Sequence, residues 1–348
     1  MAICVLSDIG GTNARFVLAN ISEAGYEKLK SETLRPQDFG TFKDCLGEFL
    51  KEQPTPKYAV IGAAGSIFEG SVRFVNTGWP VASEREIEEV FGIEHVKFLN
   101  DFVVAGYGVI ELQESDLIQV NQGTTCTAKA VKAVLGPGTG LGECFLTWNG
   151  SHYDAWPSEG GHSDFVPKED LDWKYAKYMT RKVEEAESEF KQFKPMRGVS
   201  NEICFAGVGA HHLYYFLKEE FPDLLDPEFD QFFEAEPRDR LKNIMEYGFS
   251  GKNELCVRAV EMWLKFLAYE TGNMVCKTLP YGGVYIIGGV VMKNAESIAN
   301  SQVFKEALFS KPPHICEIIR NCPVYVVTNE EVGFLGTIRY AKNLLNID

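Results

Sequence analysis

The chain has 348 residues, 45% of them hydrophobic, which is enough to bury a large core and more than a single domain usually spans. Its formal charge of −15 argues against a nucleic-acid or anionic-membrane surface, because such partners recruit clustered Lys and Arg. Nine cysteines without a CxxC pair argue against a disulfide framework or a zinc site, and no run is long and apolar enough to span a bilayer. Reduced thiols and a cytoplasmic location are the expectation, with no secretory leader read at the start.

In chain order, Ile3-Cys4-Val5-Leu6 and Arg15-Phe16-Val17-Leu18-Ala19 predict two strands joined through Ser7-Asp8-Ile9-Gly10-Gly11-Thr12-Asn13-Ala14. A glycine pair between strands is a hairpin turn. The dinucleotide fingerprint and the P-loop feed a helix instead, and neither motif occurs. Residues 41–53 carry Phe42, Cys45, Leu46, Phe49 and Leu50 at helical spacing. A buried strand is expected over 58–65, and a helix capped by Ser83-Glu84-Arg85-Glu86 should stop near Gly92. The strand Val96-Lys97-Phe98-Leu99 then delivers Asn100 and Asp101 at its carboxyl end.

The pattern begins again in the second half. A strand over 129–135, a glycine-rich turn over 136–142 and a strand over 144–148 mirror the opening hairpin, which predicts two similar α/β domains rather than a repeat array. Helices are expected over 212–220 and 254–277, with an acidic, proline-interrupted loop over 222–237. A buried strand over 284–291 ends in Gly288-Gly289, another strand covers 323–327, and a helix over 332–345 closes the chain.

Glycine-rich turns can aim successive backbone amides at a phosphate without a positive side chain. The competing reading is a turn that merely needs positive φ. Three glycine-marked strand ends, at Gly10-Gly11, Gly138-Thr139-Gly140 and Gly288-Gly289, favour a nucleotide. Asp8 could hold a hydrated Mg²⁺ beside the phosphates, or brace the turn. Asp101 can accept a proton from a substrate hydroxyl that attacks a phosphoryl group. Its competing role is a helix N-cap. Ser158-Glu159-Gly160-Gly161-His162 has the residue types to grip vicinal hydroxyls. Zinc is a poor fit there, since no cysteine lies between Cys144 and Cys204. Glu202 could equally sit at a solvated helix start, and His211 and His212 read as structural.

These motifs, with Leu99-Asn100-Asp101-Phe102, Gly138-Thr139-Gly140-Leu141-Gly142 and Gly333-Phe334-Leu335-Gly336, resemble in their joint order the bacterial-type glucokinases of the hexokinase, Hsp70 and actin ATPase superfamily. The resemblance implies two ribonuclease-H-like α/β domains with mixed sheets and helices flanking a cleft: a small one from 1–121 plus 330–348 and a large one from 122–329. It implies ATP-dependent phosphorylation of D-glucose to glucose 6-phosphate, the first step of glycolysis, with Asp101 as base and closure excluding water. It assigns the sugar to Asn100, Asp101, Glu159, His162 and Glu202. MgATP goes to Asp8, Gly10, Gly11, Thr12, Asn13, Arg15, Gly138, Thr139, Gly140, Gly288 and Gly289. A homodimer is implied as well. The chain departs from the pattern at Ala63-Ala64-Gly65-Ser66, where many relatives have a proline, and it lacks the Cys-rich zinc motif of the repressor, open reading frame and kinase group after His162. Segments 184–195 and 222–237 look like additions. The alternatives are a non-catalytic sugar sensor on the same fold and a chaperone-like ATPase.

Overall fold

A computed structural model describes residues 2–23, 25–124, 129–185, 190, 198–237 and 239–347. Cys126 and most of segment 184–195 lie outside the described residues. The chain divides into two compact units: Met1–Ser115, Cys144–Pro157 and Asn329–Asp348 form unit 1, and Asp116–Glu143 with Ser158–Thr328 form unit 2.

Unit 1 opens with a hairpin of β1 (Ala2–Ile9) and β2 (Ala14–Ser22), extended by β3 (Gly25–Leu34). The hairpin register pairs Asp8 with Arg15 and Ile9 with Ala14. Helix α1 (Phe42–Leu50) is capped by Thr41 and precedes β4 (Tyr58–Ala63). The short strands β5 (Gly65–Phe68), β6 (Ser71–Phe74) and β7 (Ala82–Ser83) form a separate sheet. Helix α2 (Glu84–Phe91) begins at the Ser83 cap and stops at left-handed Gly92, as its sequence signals require. Strand β8 (His95–Asn100) leads directly into α3 (Asp101–Gly108).

The main sheet of unit 1 has the order β3-β2-β1-β4-β8. Strands β1, β4 and β8 are parallel and in register, so Ile9, Ala63 and Asn100 end level with one another. Phe16, Phe42, Phe49 and Phe98 fill the core on one face, with α1 and α2 over it.

Unit 2 contains β9 (Leu117–Asn121), β10 (Lys132–Pro137) and the start of β11 (Leu141–Trp148). β12 (Tyr153–Ser158) follows. Then come α4 (Asp170–Glu184), α5 (Asn201–Phe205), α6 (His212–Glu220), α7 (Pro227–Ala235), α8 (Arg240–Phe249) and the long α9 (Glu254–Thr278). Strand β13 (Val284–Ile286), helices α10 (Gly289–Lys293), α11 (Ala295–Asn300), α12 (Gln302–Leu308) and α13 (Pro313–Asn321), and strand β14 (Val324–Val327) complete it. Strands β11, β10, β13, β14 and β9 are neighbours in that order, with β10, β13 and β14 parallel and β9 antiparallel. Trp263, Phe266 and Tyr175 lie at the centre of a core shared by the sheet and helices.

The chain then returns to unit 1 as α14 (Val332–Leu344). Ile338 and Ala341 pack there with Leu6, Val103 and Val104 on the sheet's second face.

Three expectations are corrected. Residues 222–237 are not a loop: α7 runs there, because Pro227 occupies the first helical position, where a missing N–H costs nothing, and Asp226 caps Glu228 and Phe229. The strand expected over 284–291 ends at Ile286, since Gly288 turns at φ +121° and its successors wind into α10. Strand β10 starts at Lys132 rather than 129 and runs through Pro137, which confines the glycine turn to 138–140.

Candidate active site

In unit 1 the carboxyl ends of β1 and β8 flank that of β4, the place where open α/β sheets commonly receive ligands. Asn100, not Asp101, caps α3: its side-chain oxygen accepts from the amides of Phe102 at 2.9 Å and Val103 at 3.4 Å. With the cap supplied by its neighbour, Asp101 stands at the first helical position with its side chain exposed, one oxygen accepting from Phe102 N at 2.9 Å. Protein crowding around this carboxylate strips part of its water and pushes its pKa up, and the negative charge of Asp8 adds to the rise. The structure thus brings Asp8 and the Asn100-Asp101 pair together.

Asp8 itself is half-buried. Desolvation raises its pKa, and Arg15, its partner across the hairpin, opposes that rise. The turn is closed by a bond from Gly10 N to Asn13 O of 2.9 Å, leaving Thr12 and Asn13 exposed. Neither Gly10 nor Gly11 takes a positive φ, so backbone strain does not explain the glycine pair. Close packing does at position 11, where a Cβ would come within 2.7 Å of the Asn76 Cβ.

In unit 2 the turn after β10 and the glycines after β13 follow strands whose ends are level, Leu135 opposite Ile286. A Cβ on Gly288 would lie 2.8 Å from Pro137 O, so the two glycine segments adjoin. The turn is held by Gly138 N donating to Gly140 O at 2.7 Å.

The unit 2 residues assigned to the sugar converge. His162 Nε2 lies 3.8 Å from a Glu159 oxygen, and its Nδ1 lies 3.8 Å from Glu202 Oε1. Both separations exceed hydrogen-bond length, so the imidazole is not bonded to either carboxylate. Glu159 is 92% exposed, His162 54% and Glu202 17%, a gradient from a free arm to a fixed one. Glu202 is fixed because α5 starts at the Ser200 cap and because its Oε2 accepts from Leu141 N at 2.9 Å. That bond ties the sugar set to the residue following the 138–140 turn. A Cβ on Gly140 would meet the same oxygen at 2.5 Å.

Sequence reasoning missed the polar layer beneath this loop, formed by Glu143, Asn201, Glu270 and Lys277. Its signal was available as a glutamate inside each of two apolar runs, 141–148 and 262–275. His211 and His212 are buried, with the His212 ring 4.9 Å from that of Phe190, consistent with a packing role. Among the described residues no group of three or more His, Cys, Asp or Glu could hold a metal ion, and no helix is long and apolar enough to cross a membrane.

Solved sugar kinases share this fold. The glucokinase structure from an Antarctic psychrotroph superposes with a TM-score of 0.77 at 24% identity, over 98% of this chain and 99% of that one. A ROK family glucokinase from Streptomyces griseus, solved in complex with glucose and AMPPNP, gives 0.60 at 16% identity over 98% and 99%. The fold is therefore the actin-like ATPase fold of the sugar kinases. The chain belongs to the glucokinase family, whose family model matches residues 5–344. A glucokinase of Nostoc punctiforme is 28% identical over 99% of this chain and 100% of its own length. The activity of the family, phosphorylation of glucose by ATP, comes with that membership, and nothing in these comparisons favours a non-catalytic sensor.

Proposed function

We propose that Asp101 is the general base of glucose phosphorylation, accepting the proton of the sugar's 6-hydroxyl as that oxygen attacks the γ-phosphoryl group of ATP. The observation that carries this reading is an accessible carboxylate just past a level strand end, freed of the capping role by Asn100 and with an upward-shifted pKa. Asn100 fixes the start of α3 and turns its amide toward Gly65 O at 3.5 Å, which orients the base. Glu159, His162 and Glu202 hold sugar hydroxyls. The turns at 10–13 and 138–140, with Arg15, Gly288 and Gly289, receive the nucleotide's phosphates and ribose.

Mg²⁺ fits this donor set only as an ion held chiefly by the nucleotide, with Asp8 as the carboxylate on its water shell. Asp8 is desolvated and half-buried, so a cation would offset its charge. The bound ion supplies charge neutralisation at the phosphates. We further propose a cytoplasmic homodimer acting at the entry to glucose breakdown. The support is the family resemblance together with eight free cysteines among the described residues, and sedimentation at two protein concentrations tests the dimer.

The full chain mixed with MgATP and a hexose panel should release ADP faster with glucose. Asp101→Ala should lower kcat by about 10²-fold or more. Near-normal turnover in that variant rejects Asp101 as base. Glu159→Gln should chiefly raise the glucose KM, and an unchanged KM counts against the hydroxyl-binding role.

A further inference from the structure

Below the Glu159–His162 loop lies a carboxylate that the chemistry above leaves unused. Glu143, the third residue of β11, is 1% exposed; no amide, hydroxyl or ammonium among the described residues donates to either of its carboxylate oxygens, and the group its side chain meets is the carboxylate of Glu270. Gly160 passes directly over it, since a Cβ at that position would lie 1.8 Å from Glu143 Oε2. From α9, Glu270 faces it and is likewise 1% exposed. The oxygens of Glu270 are occupied: Oε2 accepts from Asn201 Nδ2 at 2.7 Å and Asn273 Nδ2 at 2.8 Å, and Oε1 accepts from Lys277 Nζ at 2.8 Å. Asn201 immediately precedes Glu202 and also donates to Ser163 Oγ at 3.1 Å. The layer therefore supports both arms of the sugar set, the loop through Gly160 and Glu202 through Asn201.

We propose that Glu143 is a positioning residue for the sugar, a neutral carboxyl group that props Gly160 from below and is tied through Glu270 and Asn201 to Glu202. This rests on Glu159, His162 and Glu202 being the sugar set. The charge balance explains the neutrality. Two buried carboxyl groups face one ammonium, Lys277, which bonds Glu270 and leaves Glu143 without a counter-charge. Lys311 reaches the layer only through Asn273, bonding its Oδ1. Burial, and then the charge of Glu270, push the Glu143 carboxyl up to about 8 against the pull of Lys277. Once Glu143 ionises, two buried negative charges repel, and the ties to Gly160 and Asn201 loosen.

The test measures glucose KM, ATP KM and kcat on the full chain from about pH 6.5 to about pH 9.5, bracketing the value near 8. Wild type should show a glucose KM that rises about fivefold above that value while the ATP KM stays within about twofold. Glu143→Gln keeps the shape and neutrality of the protonated acid, and its amide can donate to Glu270, so its glucose KM should stay low and flat. Glu143→Leu should raise the glucose KM about tenfold at neutral pH with kcat within about twofold. A flat wild-type profile, an identical rise in Glu143→Gln, or an unchanged glucose KM in folded Glu143→Leu overturns the proposal. If Glu143→Leu does not fold, the Glu143→Gln profile decides alone. Glu159→Gln and Glu202→Gln run alongside. If neither changes the glucose KM, the sugar set and this proposal fall together; if both raise it and the Glu143 variants do not, only the positioning role falls.

Discussion

Glu143 has a second measurable consequence, because a proton held in the folded protein and lost on unfolding makes stability depend on pH. Its pKa is raised from 4.5 to about 8, so within that window the folded state binds a proton that the unfolded state has released. Stability is then full below the unfolded value and falls as pH rises, by roughly 1 kcal/mol per pH unit for one proton, levelling off above the folded value. Urea unfolding at about pH 6 and about pH 8 should show this loss in wild type. Glu143→Gln should lose less, since every other titrating group is common to both proteins, and equal losses would count against a buried neutral acid. The local members of the candidate site could be nominated from the sequence because their chemistry is written in adjacent letters: Asn100-Asp101, the glycine pairs, Glu159 to His162. Glu143 and Glu270 were not, because they meet only after β11 and α9, more than a hundred residues apart, have packed. Asn100 takes the helix cap that the sequence reading weighs for Asp101.

Helices α3 and α14 approach so closely at two glycines that no Cβ fits there. A Cβ on Gly336 would lie 1.7 Å from Val104 O, and one on Gly108 would lie 1.8 Å from Val332 O. Gly336→Ala must push the helices apart, at a cost of about 1–3 kcal/mol. Thermal unfolding checks this, and a melting point unchanged from wild type would mean that the crossing relaxes freely. The helices most readable from sequence were those whose period and caps agree. Helix α2 carries Ser83 and Gly92 at its ends, while α6, without a side-chain cap, matches its expected span of 212–220 on period alone. Helix α7 was hidden because Pro222, Pro227 and Pro237 read as punctuation, although Pro227 sits where a helix accepts proline. Asp226→Ala should expose that start and cost about 1 kcal/mol, measured by the same unfolding. No change would mean that the cap adds nothing beyond the proline.

Across the whole molecule the chain alternates between its units in five segments, and unit 1 is complete only when Asn329–Asp348 returns to it. Helix α14 covers a cluster formed by Cys4, Leu6 and Val60 of the sheet with Val103 and Val104 of α3. Removing residues 332–347 should therefore expose that cluster and abolish the folded state of unit 1. Loss of cooperative unfolding by circular dichroism is the expected result, and a soluble, cooperatively melting truncation would contradict it. Such interleaving was only partly legible, because hydrophobic period reveals that 332–345 is a helix but not which distant sheet it covers.

With the 138–140 turn and Glu202 in their proposed roles, the bond from the Leu141 amide to Glu202 Oε2 couples nucleotide and sugar within unit 2. Whatever factor a non-hydrolysable nucleotide applies to glucose affinity, glucose must apply to nucleotide affinity, since coupling free energy is reciprocal. Glu202→Gln retains a carbonyl acceptor but removes the charge, so calorimetric titrations should find both factors moved equally toward one.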